Sequence, residues 1–157
     1  MGLNLPSVGQ AAPQFSTQNQ HQEMVSLSDY RGKTVVLYFY PKAMTPGCTT
    51  QACGIRDTRA EFESRNAVVL GISPDAPTRL QKFIDKHELN FDLLADEEHK
   101  IAEQYGVWAM KKFMGKEFMG VHRLTFIIGE DGTLLHVIEK VKTKTHHDDV
   151  LSLLDSL

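Results

Sequence analysis

Two short runs of β-branched and aromatic residues, separated by a helical pattern, constrain the fold of this chain more than any other feature. Residues 34–40 (TVVLYFY) and 68–73 (VVLGIS) are mostly apolar and too short for buried helices, so we predict two strands that are covered on both faces. Residues 46–65 between them are predicted to form a helix, with Thr45 as the N-cap and Pro46 in the first helical position. A strand, a helix and a strand in this order form a βαβ unit, which implies a parallel central sheet.

The remaining patterns predict helices and hairpins of ordinary length. The Asp-Gly pair at 131–132 supplies the positive φ that a hairpin turn needs. We predict helices over about 76–87, 97–105 and 146–156, a hairpin of residues 123–128 and 133–139, and an edge hairpin within residues 15–27. This order predicts a thioredoxin-like α/β sandwich with added N-terminal and inserted segments, in a single domain over residues 1–157.

Charge and cysteine content narrow the function classes. Seventeen basic and twenty acidic side chains are interspersed and give a net charge of −3, which argues against nucleic acid or a membrane as the main partner. Residues 1–7 lack the basic and apolar regions of a secretory signal. Two cysteines are too few to staple a secreted fold and are more typical of redox chemistry in a reducing compartment. We therefore expect a cytoplasmic protein, and we expect it to be a monomer.

Cys48 is predicted to lie in the first turn of the 46–65 helix. Free backbone N–H groups and the positive end of the helix dipole favour a thiolate there. The helix end contributes roughly 0.3–2 kcal/mol, whereas a mostly ionised thiol at neutral pH needs about 3.4 kcal/mol. A second cation is therefore required. Arg123, which begins a predicted hairpin strand, is the candidate because its guanidinium cannot deprotonate and can also face an oxygen-bearing substrate.

Two further residues fit a pocket around this sulfur. The Thr45 hydroxyl is expected to accept a hydrogen bond from the backbone N–H of Cys48 and to donate to the thiolate or to a bound oxygen. Pro41 ends the buried strand and could cover the sulfur without supplying a competing donor.

The motif resembles that of a known family. Pro41-x-x-x-Thr45-x-x-Cys48 matches the active-site pattern of the peroxiredoxins, and T-P-G-C-T-x-x-A-C at positions 45–53 resembles the subgroup called bacterioferritin comigratory protein, or peroxiredoxin Q. The similarity extends over essentially the whole chain. Further matching segments are residues 35–40, 71–73, 91–96, 105–108, 122–123 and 131–132.

The resemblance implies a thiol peroxidase that needs no cofactor and no metal. It implies Cys48 as the peroxidatic nucleophile, Arg123 and Thr45 as residues that activate and orient the peroxide, Pro41 as a shield, and Cys53 as the resolving cysteine. Cys48 would become a sulfenic acid and condense with Cys53 to a disulfide, which an external dithiol reduces. Hydrogen peroxide and alkyl hydroperoxides are the implied substrates, and thioredoxin is the implied reductant.

Other interpretations stay open. The chain could be a redox switch whose disulfide controls a partner with little turnover, whereas a disulfide reductase would need the C-x-x-C motif that is absent. The run His146-His147-Asp148-Asp149 could suggest a metal site. We favour an ordinary helix start, because adjacent helical residues point in different directions. For the apolar stretch 108–119, we favour core or loop packing over a docking surface for a partner or a hydroperoxide.

Helix geometry gives one further expectation. Five residues of α-helix advance about 7.5 Å, whereas disulfide-bonded Cα atoms usually lie within about 6.8 Å. Cys48 and Cys53 therefore cannot bond within an intact helix. Thr49, Thr50 and Gly54 are weak helix formers, so we predict that oxidation unwinds roughly residues 46–55.

Overall fold

A five-stranded sheet lies at the centre of the protein. The structure, a computed structural model, describes residues 3–157; Met1 and Gly2, which belong to the segment searched for a targeting signal, lie outside it. In chain order the elements are β1 (Ser16–Gln18), β2 (Met24–Ser26), a 3₁₀-helix (Leu27–Tyr30), β3 (Thr34–Phe39), α1 (Pro46–Asp57), α2 (Arg59–Glu63), β4 (Ala67–Ser73), α3 (Pro77–His87), β5 (Leu93–Ala95), α4 (Lys100–Gln104), β6 (Trp108–Phe113), β7 (Lys116–Val121), β8 (Thr125–Ile128), β9 (Leu134–Ile138) and α5 (His146–Ser156).

The sheet has the strand order β5-β4-β3-β8-β9 and is mixed. Strands β3, β4 and β5 are parallel, which confirms the βαβ prediction, whereas β8 is antiparallel to both β3 and β9. Tyr38 pairs with Thr125 in the β3–β8 register, so the residues just before β8 lie beside the end of β3. This register brings Arg123 to the end of the sheet where α1 begins.

Strand β3 separates two hydrophobic layers because its side chains alternate between the faces of the sheet. Leu37 and Phe39 face a layer that includes α4, whereas Tyr38 and Tyr40 face a layer that includes Ile55 of α1 and buried residues of α3 and α5. Helices therefore cover both faces, as the thioredoxin-like sandwich requires. None of the helices in residues 3–157 is long and apolar enough to cross a membrane.

Two predicted helices differ from the observed ones. The 46–65 helix is two helices, because at Thr58 the backbone leaves helical geometry and the hydroxyl donates to the Gly54 carbonyl at 2.8 Å. The helix predicted over 97–105 begins only at Lys100. His99 before it has φ +51°, and the Asp96 carboxylate accepts hydrogen bonds from the first-turn amides of the short helix.

The apolar stretch 108–119 forms the β6–β7 hairpin, which sequence analysis missed. Met114 and Gly115 at its turn both have positive φ, 52° and 79°. A methionine in the first of these positions is not a recognisable turn signal, since Asn-Gly and Asp-Gly are the usual pairs. The expectation of core or loop packing is wrong for most of the stretch, since its large apolar side chains are exposed at Met110, Phe113, Met114, Phe118 and Met119.

Candidate active site

The Cys48 sulfur lies at the start of α1, as the Thr-Pro-Gly lead-in predicts. Thr45 is the N-cap, with extended φ/ψ of −78° and 155°, and its carbonyl accepts the first helical hydrogen bond from Thr49 N at 2.9 Å. Pro46 occupies the first helical position, so Cys48 falls in the first turn, where amides have no partner within the helix. Only 2% of Cys48 is exposed. The sulfur is therefore held in a nearly dry pocket at the positive end of a helix dipole.

Arg123 contacts this sulfur across the end of the sheet. Its Nη2 donates to Cys48 Sγ at 3.3 Å, and its Nη1 donates to Gln51 Oε1 at 2.6 Å. Gln51 is fully buried and lies three residues after Cys48, on the same face of α1. The side-chain oxygen of Gln51 therefore holds one edge of the guanidinium while the other edge faces the sulfur.

Thr45 lies beside this pocket, but its hydroxyl makes a different bond from the expected one. It donates to the Lys42 carbonyl at 3.0 Å and makes no capping hydrogen bond, so the expected acceptance from the Cys48 amide is wrong. The loop explains the difference. Met44 has φ +67°, and this tight turn brings the Lys42 carbonyl back toward Thr45. To donate to a ligand, the Thr45 hydroxyl must first break its hydrogen bond to the Lys42 carbonyl.

Pro41 and Cys53 occupy less enclosed positions. Pro41 follows β3 in the loop that leads to α1 and is partly exposed, and its shielding role stays a prediction. Cys53 is half-buried in α1, and Cys48 and Cys53 are both free thiols. Because one continuous helix contains both cysteines, the two cannot bond without local opening.

The β6–β7 hairpin flanks the same pocket. Lys111 of β6 donates from Nζ to the Val121 carbonyl at 2.9 Å. Burial lowers the pKa of Lys111, and the nearby Arg123 charge lowers it further. A groove of about 620 Å³ lies elsewhere, against residues such as Ile55 and Phe62, and none of the five predicted site residues lines it.

Comparison with known proteins identifies this arrangement. The AhpC/TSA family profile matches residues 8–137. The chain belongs to this family. It is 56% identical over 155 residues to a protein of Haemophilus influenzae named "Putative peroxiredoxin bcp", covering 99% of this chain and 100% of the relative. It is 51% identical to Peroxiredoxin Bcp of Escherichia coli strain K12, with 97% of each chain covered.

Solved peroxiredoxin structures share the fold. Peroxidoxin BcpB of Mycobacterium tuberculosis superposes with a TM-score of 0.84 at 35% identity, covering 96% of this chain and 97% of that one. A cysteine mutant of Xylella fastidiosa PrxQ gives a TM-score of 0.91 at 28% identity over 99% and 98% of the two chains. The protein is thus a thiol-dependent peroxidase of the Bcp and peroxiredoxin Q type, with peroxide substrates and, as its family implies, a thioredoxin-type reductant.

Sequence reasoning missed three polar residues of this peroxiredoxin site. Gln51, Thr125 and His146 are all buried and form a hydrogen-bonded chain that ends on Arg123. A signal existed for Gln51, because a polar residue three positions after a candidate nucleophile shares its helix face. For His146 the sequence suggests a helix start or, less well, a metal ligand, and neither points to this hydrogen bond; in residues 3–157 no group of three His, Cys, Asp or Glu side chains could hold a metal ion.

Proposed function

We propose that Cys48 is the peroxidatic nucleophile of this peroxiredoxin. The observation that carries the proposal is the 3.3 Å contact between Arg123 Nη2 and Cys48 Sγ in a pocket that is nearly closed to water. A guanidinium keeps its charge at any physiological pH, and attraction between opposite charges is stronger in a poorly hydrated pocket than in water. The helix end adds to the same effect, so negative charge on the attacking Cys48 sulfur is stabilised by its surroundings.

The reaction follows from this assignment. The Cys48 thiolate attacks one oxygen of the peroxide, an S–O bond forms and the O–O bond breaks, and the departing alkoxide or hydroxide takes up a proton. Cys48 is then a sulfenic acid. The Cys53 thiol gives up its proton and attacks this sulfur, the S–S bond forms, and the S–O bond breaks as the departing hydroxide takes up a proton and leaves as water. Thioredoxin then reduces the disulfide to two thiols by dithiol exchange.

We assign the remaining site residues supporting roles. Arg123 has N–H donors beyond the two that bond Cys48 and Gln51, and these can orient the peroxide and stabilise charge on the departing oxygen. Thr45 orients the peroxide by turning its hydroxyl, so that the hydrogen bond now made to the Lys42 carbonyl is made to the bound oxygen instead. Pro41, which has no N–H group, shields the sulfur from water.

Several finer features belong to the same proposal. The small pocket and the exposed apolar hairpin beside it suit hydrogen peroxide and alkyl hydroperoxides. We propose a single thioredoxin-like domain over residues 1–157 that acts as a monomer. Two free thiols and a thioredoxin-type reductant fit the cytoplasm, which we propose as the compartment.

Steady-state peroxide consumption in the presence of thioredoxin, thioredoxin reductase and NADPH tests the proposal. Wild-type protein is expected to turn over many equivalents of peroxide, and Cys48→Ser none. Cys53→Ser is the matched control, because it makes the same chemical change five residues away and keeps the nucleophile. Comparable turnover by Cys48→Ser would refute the assignment. A single stoichiometric oxidation of wild type without turnover would favour the redox switch instead.

A further inference from the structure

His146 is a buried titratable residue that the proposed reaction does not use. It is the first residue of α5, and only 1% of it is exposed. Its Nδ1 lies 3.1 Å from Gln51 Nε2, and its Nε2 lies 2.7 Å from Thr125 Oγ1. Gln51 and Thr125 are themselves fully buried. The imidazole ring therefore connects α5 to α1 and β8, and through Gln51 it connects to Arg123.

The chemistry of the partners sets the direction of every hydrogen bond in this chain of residues. A guanidinium has only donors, so the Gln51 atom that faces Arg123 Nη1 at 2.6 Å must be the carbonyl oxygen. The amide nitrogen of Gln51 then faces His146 and donates to Nδ1. Because Nδ1 accepts, the single proton of the neutral ring lies on Nε2 and is donated to Thr125 Oγ1. Only a neutral imidazole with its proton on Nε2 satisfies all three of these hydrogen bonds.

The surroundings of the ring favour its neutral form. Burial lowers the pKa of His146 to about 4, Asp149 opposes this shift, and His147 and Arg123 add to it. From β3, the Tyr38 ring packs against the imidazole with a centroid distance of 5.5 Å. The groups that face His146 from α1 and β8 are the neutral Gln51 and Thr125.

We propose that His146 is a positioning residue for the peroxidatic site. By accepting from the Gln51 amide, it fixes which end of that amide faces Arg123, and so it holds the guanidinium with Nη2 on the Cys48 sulfur. The inference rests on the proposed roles of Cys48 and Arg123. A proton on His146 Nδ1 turns the Gln51 amide around, and its NH₂ group then faces the Arg123 donors. The guanidinium loses its acceptor and its fixed orientation.

The first test removes the acceptor. His146→Leu leaves the Gln51 amide without a partner, and the second-order rate of the reduced protein with hydrogen peroxide is expected to fall about tenfold, the usual effect of losing one hydrogen bond in a buried network. His146→Asn places a carboxamide oxygen near the Nδ1 position and should restore most of the rate. His147→Leu is the matched control, since it makes the same change at the next residue of α5, outside the hydrogen-bonded series. Equal rates for His146→Leu and His147→Leu would overturn the proposal.

A second test separates positioning from packing. If His146 acts through Arg123, the tenfold loss of rate must be absent when His146→Leu is introduced into an Arg123→Lys protein. A lysine cannot contact Gln51 and Cys48 together as the guanidinium does. An equal loss in both backgrounds means that His146 acts through general packing, and the proposal is then wrong. This comparison uses rates relative to each parent protein.

A third test needs no loss of fold or activity. Nitrogen-15 NMR of the imidazole in wild-type protein is expected to show the proton on Nε2. In Gln51→Glu a carboxylate oxygen faces Nδ1, so that nitrogen should become protonated. A wild-type ring with its proton on Nδ1 contradicts the proposal even if His146→Leu fails to fold. Cys48→Ser, measured in the same rate assay, separates failure of the proposed function from failure of this inference. Activity without Cys48 overturns the proposed function. An unchanged rate for His146→Leu overturns the inference alone.

Discussion

Two successive parts of helix α1 contain the same chemical group in different surroundings. Cys48 in the first turn is buried and contacts Arg123, whereas Cys53 lies half-buried just past the middle of the helix. After Cys53 comes Gly54, where a Cβ atom would clash with the His147 ring of α5. One helix places both thiols, and the residues packed against each turn make their surroundings differ: a cation beside Cys48 and a close contact with α5 after Cys53.

The largest expected effect separates the two cysteines directly. After one equivalent of hydrogen peroxide, Cys53→Ser should carry a sulfenic acid on Cys48, because the nucleophile is intact and no resolving thiol is present. Cys48→Ser should stay unoxidised, because Cys53 lacks the contact with Arg123. Mass spectrometry of the two proteins measures both outcomes. Oxidation of Cys53 in Cys48→Ser at the rate seen for Cys48 would mean that the two surroundings do not differ in reactivity.

Arg123→Lys sharpens the comparison by changing only the Cys48 end. The charge remains, but the planar group that contacts Cys48 and Gln51 together is lost. We expect the second-order rate with peroxide to fall about 10- to 100-fold, as for a charge-assisted hydrogen bond. Stopped-flow kinetics gives the rate, and an unchanged value would remove Arg123 from the site.

A smaller effect concerns stability at low pH. The pKa of His146 is lowered by burial to about 4, below the ordinary value of 6.5, so the unfolded chain binds a proton more readily than the folded one between these pH values. The stabilisation is complete above about pH 6.5 and is lost as the pH falls toward 4, by up to about 3 kcal/mol. Denaturant unfolding across this range should show a steeper loss for wild type than for His146→Asn.

The control for that measurement is His147→Asn, in the adjacent position of α5. The buried Asp96, whose pKa is raised chiefly by burial, changes the pH dependence of all three proteins alike and cancels in the comparison. Parallel curves for wild type and His146→Asn would show that His146 makes no special contribution.

The sequence predicted those parts of the molecule that depend on local patterns. The buried strands, the βαβ unit, the start of α1 at Pro46 and the 146–156 helix follow from periodicity, capping and turn chemistry, and the fold agrees. The turn at Met114-Gly115 did not follow, because tertiary context imposes a positive φ on a methionine. Strand β5 has only three residues, too few to show a period.

The polar residues of the site were harder to predict from the sequence, because their contacts depend on tertiary packing. Gln51 and His146 are 95 positions apart, and their contact depends on how α5 docks against α1. The hydrogen-bond partner of the Thr45 hydroxyl depends on the backbone conformation of Met44, which residue propensities do not predict. Motif spacing therefore pointed to the groups that we propose to react, whereas the groups that we propose to orient them required coordinates.

The central claim is that two cysteines of one helix can meet only when that helix opens. Hydrogen exchange on reduced and oxidised protein tests it most directly, with Cys53→Ser treated in the same way as the control. With the intramolecular disulfide confirmed by mass spectrometry, the amides of residues 48–55 should lose protection on oxidation, while those of β3 and β4 keep it. Equal protection of residues 48–55 in both states, with the disulfide present, would contradict the account.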